Sequence, residues 1–236
     1  MNWSSLFDFS PAEWTAIRLS LKVGIWAVGT SLPAGVFIAL VLARGRFWGR
    51  QFLDVCVHLP LILPPVVTGY VLLLLFGRNG PLGRVLWKTI GFAFAFRWTG
   101  AALASAVVAF PLMVRAIRLS IEAVDRRLED AAGTLGASPL WVFVTVTLPL
   151  ILPGILAGAI LAFARSLGEF GATITFVSNI PGETQTLPTA IYTFIQSPGG
   201  DAGALRLTLV SVLISALALF FSEFLARRVK RRVAGI

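Results

Sequence analysis

The residues that could do chemistry in this chain are few, and the most informative group follows a long apolar run. Glu169 stands alone in such a run, between Gly168 and Phe170. An ionisable residue inside an apolar span is a functional hypothesis by default and needs a partner. The spacing predicts Arg165, one helical turn earlier, as that partner. The alternative is that Glu169 fixes a bent backbone at the glycines.

Neutral polar side chains near Glu169 could line a pathway for a polar solute, and an anion would pass more easily beside them than beside the carboxylate. A carboxylate repels an anion, whereas hydroxyl and amide groups can bind it without trapping it. The pathway residues predicted in this way are Thr68, Ser166, Thr173, Thr175 and Asn179. Phe170 predicts a hydrophobic gate made by two copies of the ring across a dimer axis. The alternative is a ring that faces lipid or a neighbouring helix.

Other reactive side chains are too scarce for catalysis. One histidine (His58) and one cysteine (Cys56) exclude an intramolecular disulfide and a protein-only zinc site of the usual kind. We interpret them as a packed histidine between helices and a buried thiol. No Gly-x-x-x-x-Gly-Lys-Ser/Thr loop occurs, so the sequence predicts no P-loop ATP site in this chain. The sequence therefore predicts a protein that is not an enzyme itself, with no metal and no cofactor of its own.

The composition indicates that lipid is the main solvent of this chain. It is 57% hydrophobic and 13% charged, and soluble domains carry about 25% charge. A bilayer core of about 30 Å needs about 20 apolar residues per helix. The long apolar runs are Trp14–Ala43, Phe52–Phe76, Gly100–Ile121, Leu150–Ser166 and Leu205–Leu225.

The predicted fold is all-α, a single polytopic transmembrane bundle of about five or six spans over residues 1–236. Segment 187–195 is shorter than a full span, so it is predicted to be a short or re-entrant helix. Prolines interrupt the runs at 33, 60, 64, 65, 111, 149 and 153. They indicate either ordinary kinks in a bundle or a second and fourth span that line a pathway.

The cations predict the orientation. The net charge is +9, but Lys and Arg lie at the ends of apolar runs, as lipid headgroups require, and not on a nucleic-acid-binding face. With the N-terminus outside, the inner cations are Arg44, Arg46, Arg50, Arg115, Arg118, Arg126, Arg127, Arg227, Arg228, Lys230, Arg231 and Arg232. The outer side then holds the acids Asp8, Glu13, Glu183 and Asp201. We predict N-out and C-in, although the outer segment 78–99 carries four cations.

The segment between the third and fourth spans predicts an ordered helix–turn–helix. Helix formers run over Glu122–Leu135, and Gly136 fits the left-handed position that ends a helix. Ser138 fits an N-cap before Pro139, and we expect a second short helix over 140–148. One face of the first helix is small and apolar: Leu128, Ala131, Ala132 and Leu135. The element either docks in a groove of a partner or packs on its own bundle.

This loop resembles the EAA loop of binding-protein-dependent ABC importer permeases. That motif reads Glu-Ala-Ala, three residues, Gly, nine residues, Ile, one residue, Leu-Pro. Asp130 and Val146 replace the Glu and the Ile here, and Glu129 can share the acidic role. The resemblance implies a coupling helix at about 124–149 that docks in a cleft of an ATPase. The implied coupling residues are Glu129, Asp130, Ala131, Ala132, Gly133, Gly136, Leu148 and Pro149.

The resemblance covers nearly the whole chain. Segments 52–77, 110–121 and 162–199 resemble the molybdate branch of these permeases. Sulfate permeases share the Gly-Glu-Phe-Gly of 168–171, whereas the continuation to 184 looks like the molybdate branch alone. The resemblance implies a type I ABC importer permease fold and molybdate import across the bacterial inner membrane. Tungstate and sulfate or thiosulfate are the alternative substrates.

A single copy of the chain is not expected to work alone. One copy has too few spans to enclose a pathway, so we expect a homodimer with two-fold symmetry. The resemblance implies two copies of a cytoplasmic ATP-binding subunit, which hold ATP and Mg²⁺, and a periplasmic oxyanion-binding protein. A secondary carrier would need buried coupling charges or inverted repeats. An intramembrane enzyme would need a His/Asp/Ser constellation. We see no clear sign of either.

Overall fold

A computed structural model of the chain describes the backbone of residues 9–233 and the side chains up to residue 221 and at Phe224. Asp8 and the basic side chains of 227–232, which entered the orientation argument, lie outside this set. The described helices are α1 (Pro11–Arg44), α2 (Arg50–Ile62), α3 (Pro65–Phe76), α4 (Pro81–Ile90), α5 (Trp98–Glu122), α6 (Arg126–Thr134), α7 (Pro139–Val142), α8 (Leu148–Leu167), α9 (Gly171–Val177), α10 (Leu187–Ile195) and α11 (Asp201–Val233), with a π-helical turn at Phe143–Thr147.

The first span begins with a complete capping box. The Ser10 hydroxyl accepts a hydrogen bond from the Glu13 N–H at 3.3 Å, and the Glu13 carboxylate accepts one from the Ser10 N–H at 2.6 Å. These contacts satisfy N–H groups that a helix start otherwise leaves free. Pro11 takes the first helical position, where its missing N–H costs nothing. The helix therefore starts outside the apolar run that begins at Trp14.

Apolar clusters fix the directions of the long helices. Leu19 of α1 shares one cluster with Ala101 of α5, and Leu42 shares another with Ile121. These two helices are therefore parallel. Ile151, near the start of α8, belongs to the cluster of Leu42. Because that start lies at the ends of α1 and α5, α8 runs antiparallel to both.

The last helix starts beside the start of the first. Arg206 donates from Nε to Oε1 of the buried Glu13 at 2.8 Å, which places α11 parallel to α1. Because α1 and α5 are parallel, the chain between them must cross back once. Four long helices and the bent pair α2–α3 have the length and composition of spans. The described chain thus makes five crossings and ends opposite to where it begins, as N-out and C-in requires.

The second span is broken. The sequence predicts one run over Phe52–Phe76, but α2 and α3 are bent by 115° relative to each other. The break falls at Pro64 and Pro65, because a residue before a proline avoids the α conformation. Gly69 then allows α3 to touch α9, since an added Cβ would lie 2.5 Å from the Ala172 carbonyl oxygen. The bent pair crosses the bundle in two short pieces.

The fourth span starts earlier than Leu150, and the prediction of a separate short helix over 140–148 is wrong. A continuous helix runs over Pro139–Leu167 through the π-helical turn. Pro149 sits in the first turn of α8. A proline lacks an N–H and crowds the carbonyl four residues before it. The wider turn, in which the Leu148 N–H bonds to the Phe143 carbonyl, accommodates this defect.

The short segment 187–195 is a helix with the expected bounds, α10. Its nine residues extend about 14 Å at 1.5 Å per residue, less than half of a bilayer core. The Leu187 N–H donates to the Ser20 hydroxyl of α1 at 2.6 Å. Thus α10 is a short helix held against the outer half of α1 and adds no crossing.

Candidate functional site

The loop between α5 and α8 is an ordered element at the inner end of the bundle. Asp125 caps α6 by accepting the Arg127 N–H at 3.0 Å. This cap separates α6 from α5, so the helix predicted over Glu122–Leu135 is in fact interrupted at residues 123–125. The carboxylate of Asp125 competes with continued helix by binding the local backbone, which is why the α5 helix stops there.

The predicted turn after α6 is confirmed. Gly136 has φ +83°, the left-handed conformation, which glycine adopts without a steric penalty. Ser138 then accepts the Trp141 N–H at 3.4 Å, and Pro139 begins α7. The helix–turn–helix geometry therefore follows from the caps that the sequence shows.

The loop exposes large apolar side chains. Exposed fractions are 50% for Leu128, 89% for Leu135, 74% for Leu140 and 63% for Trp141. Contiguous apolar surface of this kind marks an interaction site. Ala131 is exposed, and a Cβ on Gly133 would have no neighbour within 4 Å in this chain. The alternative that this face packs on its own bundle is therefore wrong for these residues.

The two acids of the loop have different surroundings. Glu129 Oε1 accepts from Arg44 Nη2 at the end of α1 at 3.1 Å and from the Thr147 hydroxyl of the π-helical turn at 2.8 Å. Asp130 is exposed. Glu129 therefore connects the loop to two spans of its own chain, and the acidic role beside Asp130 expected for it stays a prediction. Leu148 is partly buried beneath the loop, and Pro149 is exposed.

A cavity of about 810 Å³ separates α6 from the body of the chain. Arg44, Glu129 and Asp130 line it together with Thr134 and Phe143. The loop is therefore attached at Glu129 and at its two ends, with open space beneath it.

The fourth span breaks again at the predicted bend. α8 ends at Leu167 and α9 begins at Gly171. Glu169, 2% exposed, forms an ion pair with Arg165 at 2.8 Å and accepts the Ala172 N–H at 2.8 Å. Both roles predicted for this carboxylate are present at once. Its Oε2 holds α8 and its Oε1 caps the first turn of α9.

This break lies in the outer half of the bundle. A Cβ on Gly158 of α8 would meet the Met113 carbonyl near the middle of α5, and a Cβ on Gly100 at the start of α5 would meet Val177. The break between Leu167 and Gly171 lies between these two contacts along the chain, and therefore between the middle and the outer end of α5. The Phe170 ring packs against Tyr192 with centroids 5.2 Å apart, and both rings keep exposed surface. A gate by Phe170 stays a prediction.

The predicted polar pathway residues are mostly enclosed. The Thr68 and Thr173 hydroxyls and the Asn179 amide oxygen are buried and have no hydrogen-bond partner among the described residues. Ser166 donates to the Ala162 carbonyl and Thr175 to the Gly171 carbonyl, each at 2.8 Å. In this conformation these groups face the interior of the chain. A pathway that passes Thr68 and Thr173 stays a prediction.

Sequence reasoning missed a charged network between α2 and α5. Arg118 bonds to Asp54 at 3.0 Å and to Glu122 at 2.8 Å, and His58 Nδ1 lies 3.2 Å from the Asp54 carboxylate. The four-residue spacings of Asp54 with His58 and of Arg118 with Glu122 were the available signal. Cys56 is exposed, so the prediction of a buried thiol is wrong.

The chain matches the family model described as binding-protein-dependent transport system inner membrane component over residues 31–231. It is 59% identical over 223 residues to the molybdenum transport system permease protein ModB of Escherichia coli K12, covering 94% of this chain and 97% of that protein. ModB of Haemophilus influenzae is 56% identical over 94% of this chain and 96% of its own. The sulfate transport system permease protein CysW of Synechococcus elongatus is 38% identical over 86% of this chain and 72% of its own.

Solved structures share the fold at low sequence identity. A bacterial ABC transporter involved in the import of the acidic polysaccharide alginate superposes with a TM-score of 0.76 and 16% identity, covering 97% of this chain and 84% of that chain. The inward-facing MetNI methionine ABC transporter superposes with a TM-score of 0.67 and 16% identity, covering 97% of this chain and 99% of that chain.

Proposed function

The chain belongs to the family of binding-protein-dependent transport system inner membrane components, and we propose that it forms the transmembrane pathway of a molybdate importer. It is an ABC importer permease with the type I fold. The observation that carries the substrate is identity of 59% to a molybdenum permease over 94% of the chain. The sulfate permease stands at 38%, which makes sulfate or thiosulfate the second candidate and tungstate a further one.

The proposed assembly is a homodimer in the bacterial inner membrane with two cytoplasmic ATP-binding subunits and a periplasmic oxyanion-binding protein. ATP and Mg²⁺ belong to the ATP-binding subunits. Support comes from structural neighbours that include an alginate ABC transporter in complex with a periplasmic protein bound to alginate pentasaccharide. The single chain offers five crossings, and two copies related by a two-fold axis would enclose a pathway between them.

The inner loop is the proposed docking element for the ATPase. Its exposed side chains Leu128, Leu135, Leu140 and Trp141 supply the apolar core that a protein interface needs. Asp130 is exposed and lines the cavity on another side of α6, where its charge can fix the register of a partner. Small residues at 131–133 allow a partner backbone to approach α6 closely.

Movement of the docked loop would reach the bundle through Glu129. Its carboxylate holds Arg44 of α1 and Thr147 of the π-helical turn at the same oxygen. A pull on α6 therefore acts on two spans at once. Single π-helical turns inside α-helices are frequent at functional sites. ATP-driven approach of the two loops would thus change the access of the pathway from one side to the other.

The proposed pathway passes the break at residues 168–170, with Phe170 as its gate. Discontinuous helices inside a membrane place polar groups where a substrate passes. The Thr68 and Thr173 hydroxyls and the Asn179 amide oxygen are buried without a hydrogen-bond partner among the described residues. They would bind the oxyanion when α3 and α9 separate, with Thr175 and Ser166 beside them.

Uptake by the whole importer tests this function. Cells without a molybdate permease of their own, expressing this chain with its ATPase and binding protein, should take up radiolabelled molybdate. Unlabelled molybdate should compete fully and sulfate only weakly. Strong competition by sulfate would assign the chain to the sulfate branch. Uptake that survives an inactive ATPase but collapses with a protonophore would contradict the ABC mechanism.

A further inference from the structure

Helix α4 is a separate amphipathic element at the outer end of the bundle. It starts at Pro81 and ends before Gly91, which has φ +64°. A Cβ on Gly83 would clash with the carbonyls of Gly77 and Phe76. The helix therefore sits tightly on the end of α3 at this one point, which fixes how it is turned.

The two sides of α4 differ in chemistry. Leu82, Val85 and Ile90 are exposed by 45%, 58% and 67%. At 3.6 residues per turn, Val85 lies about 60° to one side of Leu82 and Ile90 about 80° to the other, so the three spread over one broad side of the helix. Arg84 and Lys88, four residues apart, lie on the opposite edge and are exposed. An amphipathic helix that keeps its apolar side unpacked suits an interface between lipid and water.

The charge around α4 has one sign. The sequence has no Asp or Glu between Asp54 and Glu122. Arg84 donates only to the Asn79 carbonyl among the described residues, at 3.0 Å, and the Arg78 guanidinium lies 4.6 Å above the Trp87 ring. These cations keep their charge uncompensated by carboxylates and complement anionic phosphate groups.

The surroundings of α4 place it at headgroup level. Phe76, the last residue of α3, packs edge-on against Phe94 at 5.6 Å. Lys22 Nζ lies 3.6 Å from the centroid of the Trp98 ring at the start of α5. Aromatic rings with cations above them collect at the boundary of the bilayer. At ten residues, α4 is too short to cross a bilayer.

We propose that α4 binds the outer leaflet as an interfacial helix. Its side chains Leu82, Val85 and Ile90 enter the acyl region, and Arg84 and Lys88 bind the phosphates of anionic phospholipids. This role explains Arg84 and Lys88, two of the four cations that occur in the outer segment 78–99 against the usual orientation rule. It anchors the outer end of the bent pair α2–α3 and does not depend on the transported substrate.

Spin-label accessibility in the assembled importer tests this placement. Cys56 is the single cysteine, so a Cys56→Ser background allows the variants Leu82→Cys, Arg84→Cys, Val85→Cys and Lys88→Cys to be labelled one at a time. In vesicles of phosphatidylethanolamine and phosphatidylglycerol, we expect the ratio of oxygen to nickel-chelate accessibility to be severalfold higher at positions 82 and 85 than at 84 and 88. Equal, water-like values at all four positions would overturn the proposal.

Two further experiments ask whether α4 contacts lipid or a protein partner, and whether Arg84 and Lys88 bind anionic headgroups. Adding the periplasmic binding protein should leave the values at 82 and 85 unchanged; protection that needs this protein would assign α4 to protein docking instead. Replacing phosphatidylglycerol with phosphatidylcholine should reduce the ratio at position 85, and Arg84→Gln with Lys88→Gln should abolish that difference. If the accessibility ratio at position 85 is the same in both lipids while Arg84 and Lys88 are present, the proposed phosphate contacts are refuted. The matched control pair is Arg126→Gln with Arg127→Gln on the inner side.

Discussion

At the scale of the residue, one carboxylate holds a broken span together. Glu169 uses Oε2 for Arg165 and Oε1 for the Ala172 N–H. The first contact lies within helical reach, and the second spans the bend. A carboxylate so enclosed is costly unless both oxygens are occupied. The residue therefore acts first as a brace of the backbone, and its charge is cancelled before it could repel a passing anion.

Two substitutions separate these contacts. Glu169→Gln removes the charge but keeps an oxygen for the Ala172 N–H, and Glu169→Ala removes both. We expect Glu169→Gln to destabilise by about 1–3 kcal/mol. This is less than for a fully buried pair, because Arg165 is 31% exposed. Glu169→Ala should destabilise the protein more than Glu169→Gln does, because it also removes the acceptor of the Ala172 N–H. Thermal unfolding in detergent measures the relative stabilities of the parent and the two variants. Equal stability of all three would contradict a bracing role.

A second prediction at this scale concerns Phe170. Its ring lies beside Tyr192 with exposed surface left for a symmetry mate. Phe170→Ala should open a leak, so vesicles loaded with molybdate should lose it without ATP. Tyr192→Phe keeps the ring contact and serves as the matched control, which should stay tight. If the Phe170→Ala vesicles are as tight as the control, the gate lies elsewhere.

At the scale of the element, the inner loop depends on one backbone conformation. Gly136 has φ +83° and open space around it, so a larger residue meets strain and no clash. Asparagine tolerates this conformation and a β-branched residue does not. Gly136→Asn should therefore keep most transport, whereas Gly136→Val should lose most of it. Gly136→Arg should abolish coupling as well, and all three should insert normally.

Transport per ATP hydrolysed, measured in vesicles, decides this prediction. A protease-protection assay shows whether each variant has inserted. Equal coupling in Gly136→Asn and Gly136→Val would show that the turn conformation is irrelevant to docking.

The two acids of the loop should respond differently to neutralisation. Glu129→Gln and Thr147→Val weaken the attachment of the loop to α1 and α8. They should leave the ATPase bound and active while transport per ATP falls severalfold. Asp130→Asn removes an exposed charge of α6 and should lower co-purification of the ATPase. Arg126→Gln, on the same helix, is the control. Loss of assembly in Glu129→Gln would place this residue in the interface itself.

Local signals in the sequence predicted the local parts of these elements. The pair Arg165 and Glu169 and the cap at Ser138 are four or fewer residues apart, so spacing alone reveals them. The partner of Glu129 is Arg44, which is 85 residues away. The spacing of residues along a helix cannot predict a contact between residues so far apart in the sequence. The π-helical turn was missed because a proline signals a break and gives no sign that a wider turn absorbs it.

At the scale of the whole molecule, hydropathy gave the number of crossings, and packing gave their directions. Parallel α1, α5 and α11 with antiparallel α8 follow from contacts such as Leu42 with Ile151 and Glu13 with Arg206. The 115° bend between α2 and α3 could not be read from the sequence. Two adjacent prolines predict a kink, but its angle is set by the packing of α3 on α9.

Reporter fusions test this topology. A fluorescent protein that folds only in the cytoplasm should be bright when fused after residue 233. Alkaline phosphatase, active only outside, should be active when inserted at residues 91–97 and inactive at 45–49. Phosphatase activity at 45–49 would reverse the assignment. Brightness at both ends of the chain would mean an even number of crossings.

The π-helical turn at Phe143–Thr147 has an evolutionary consequence. Such a turn holds one residue more than a regular turn, so it is what a single-residue insertion leaves in a helix. Deleting that residue would restore a regular helix but rotate everything before it by about 100° and shift it by about 1.5 Å. The coupling loop would then present a different side to its partner. Because one residue changes the direction in which the loop points, this helix tolerates few insertions or deletions of a single residue between the loop and the bundle.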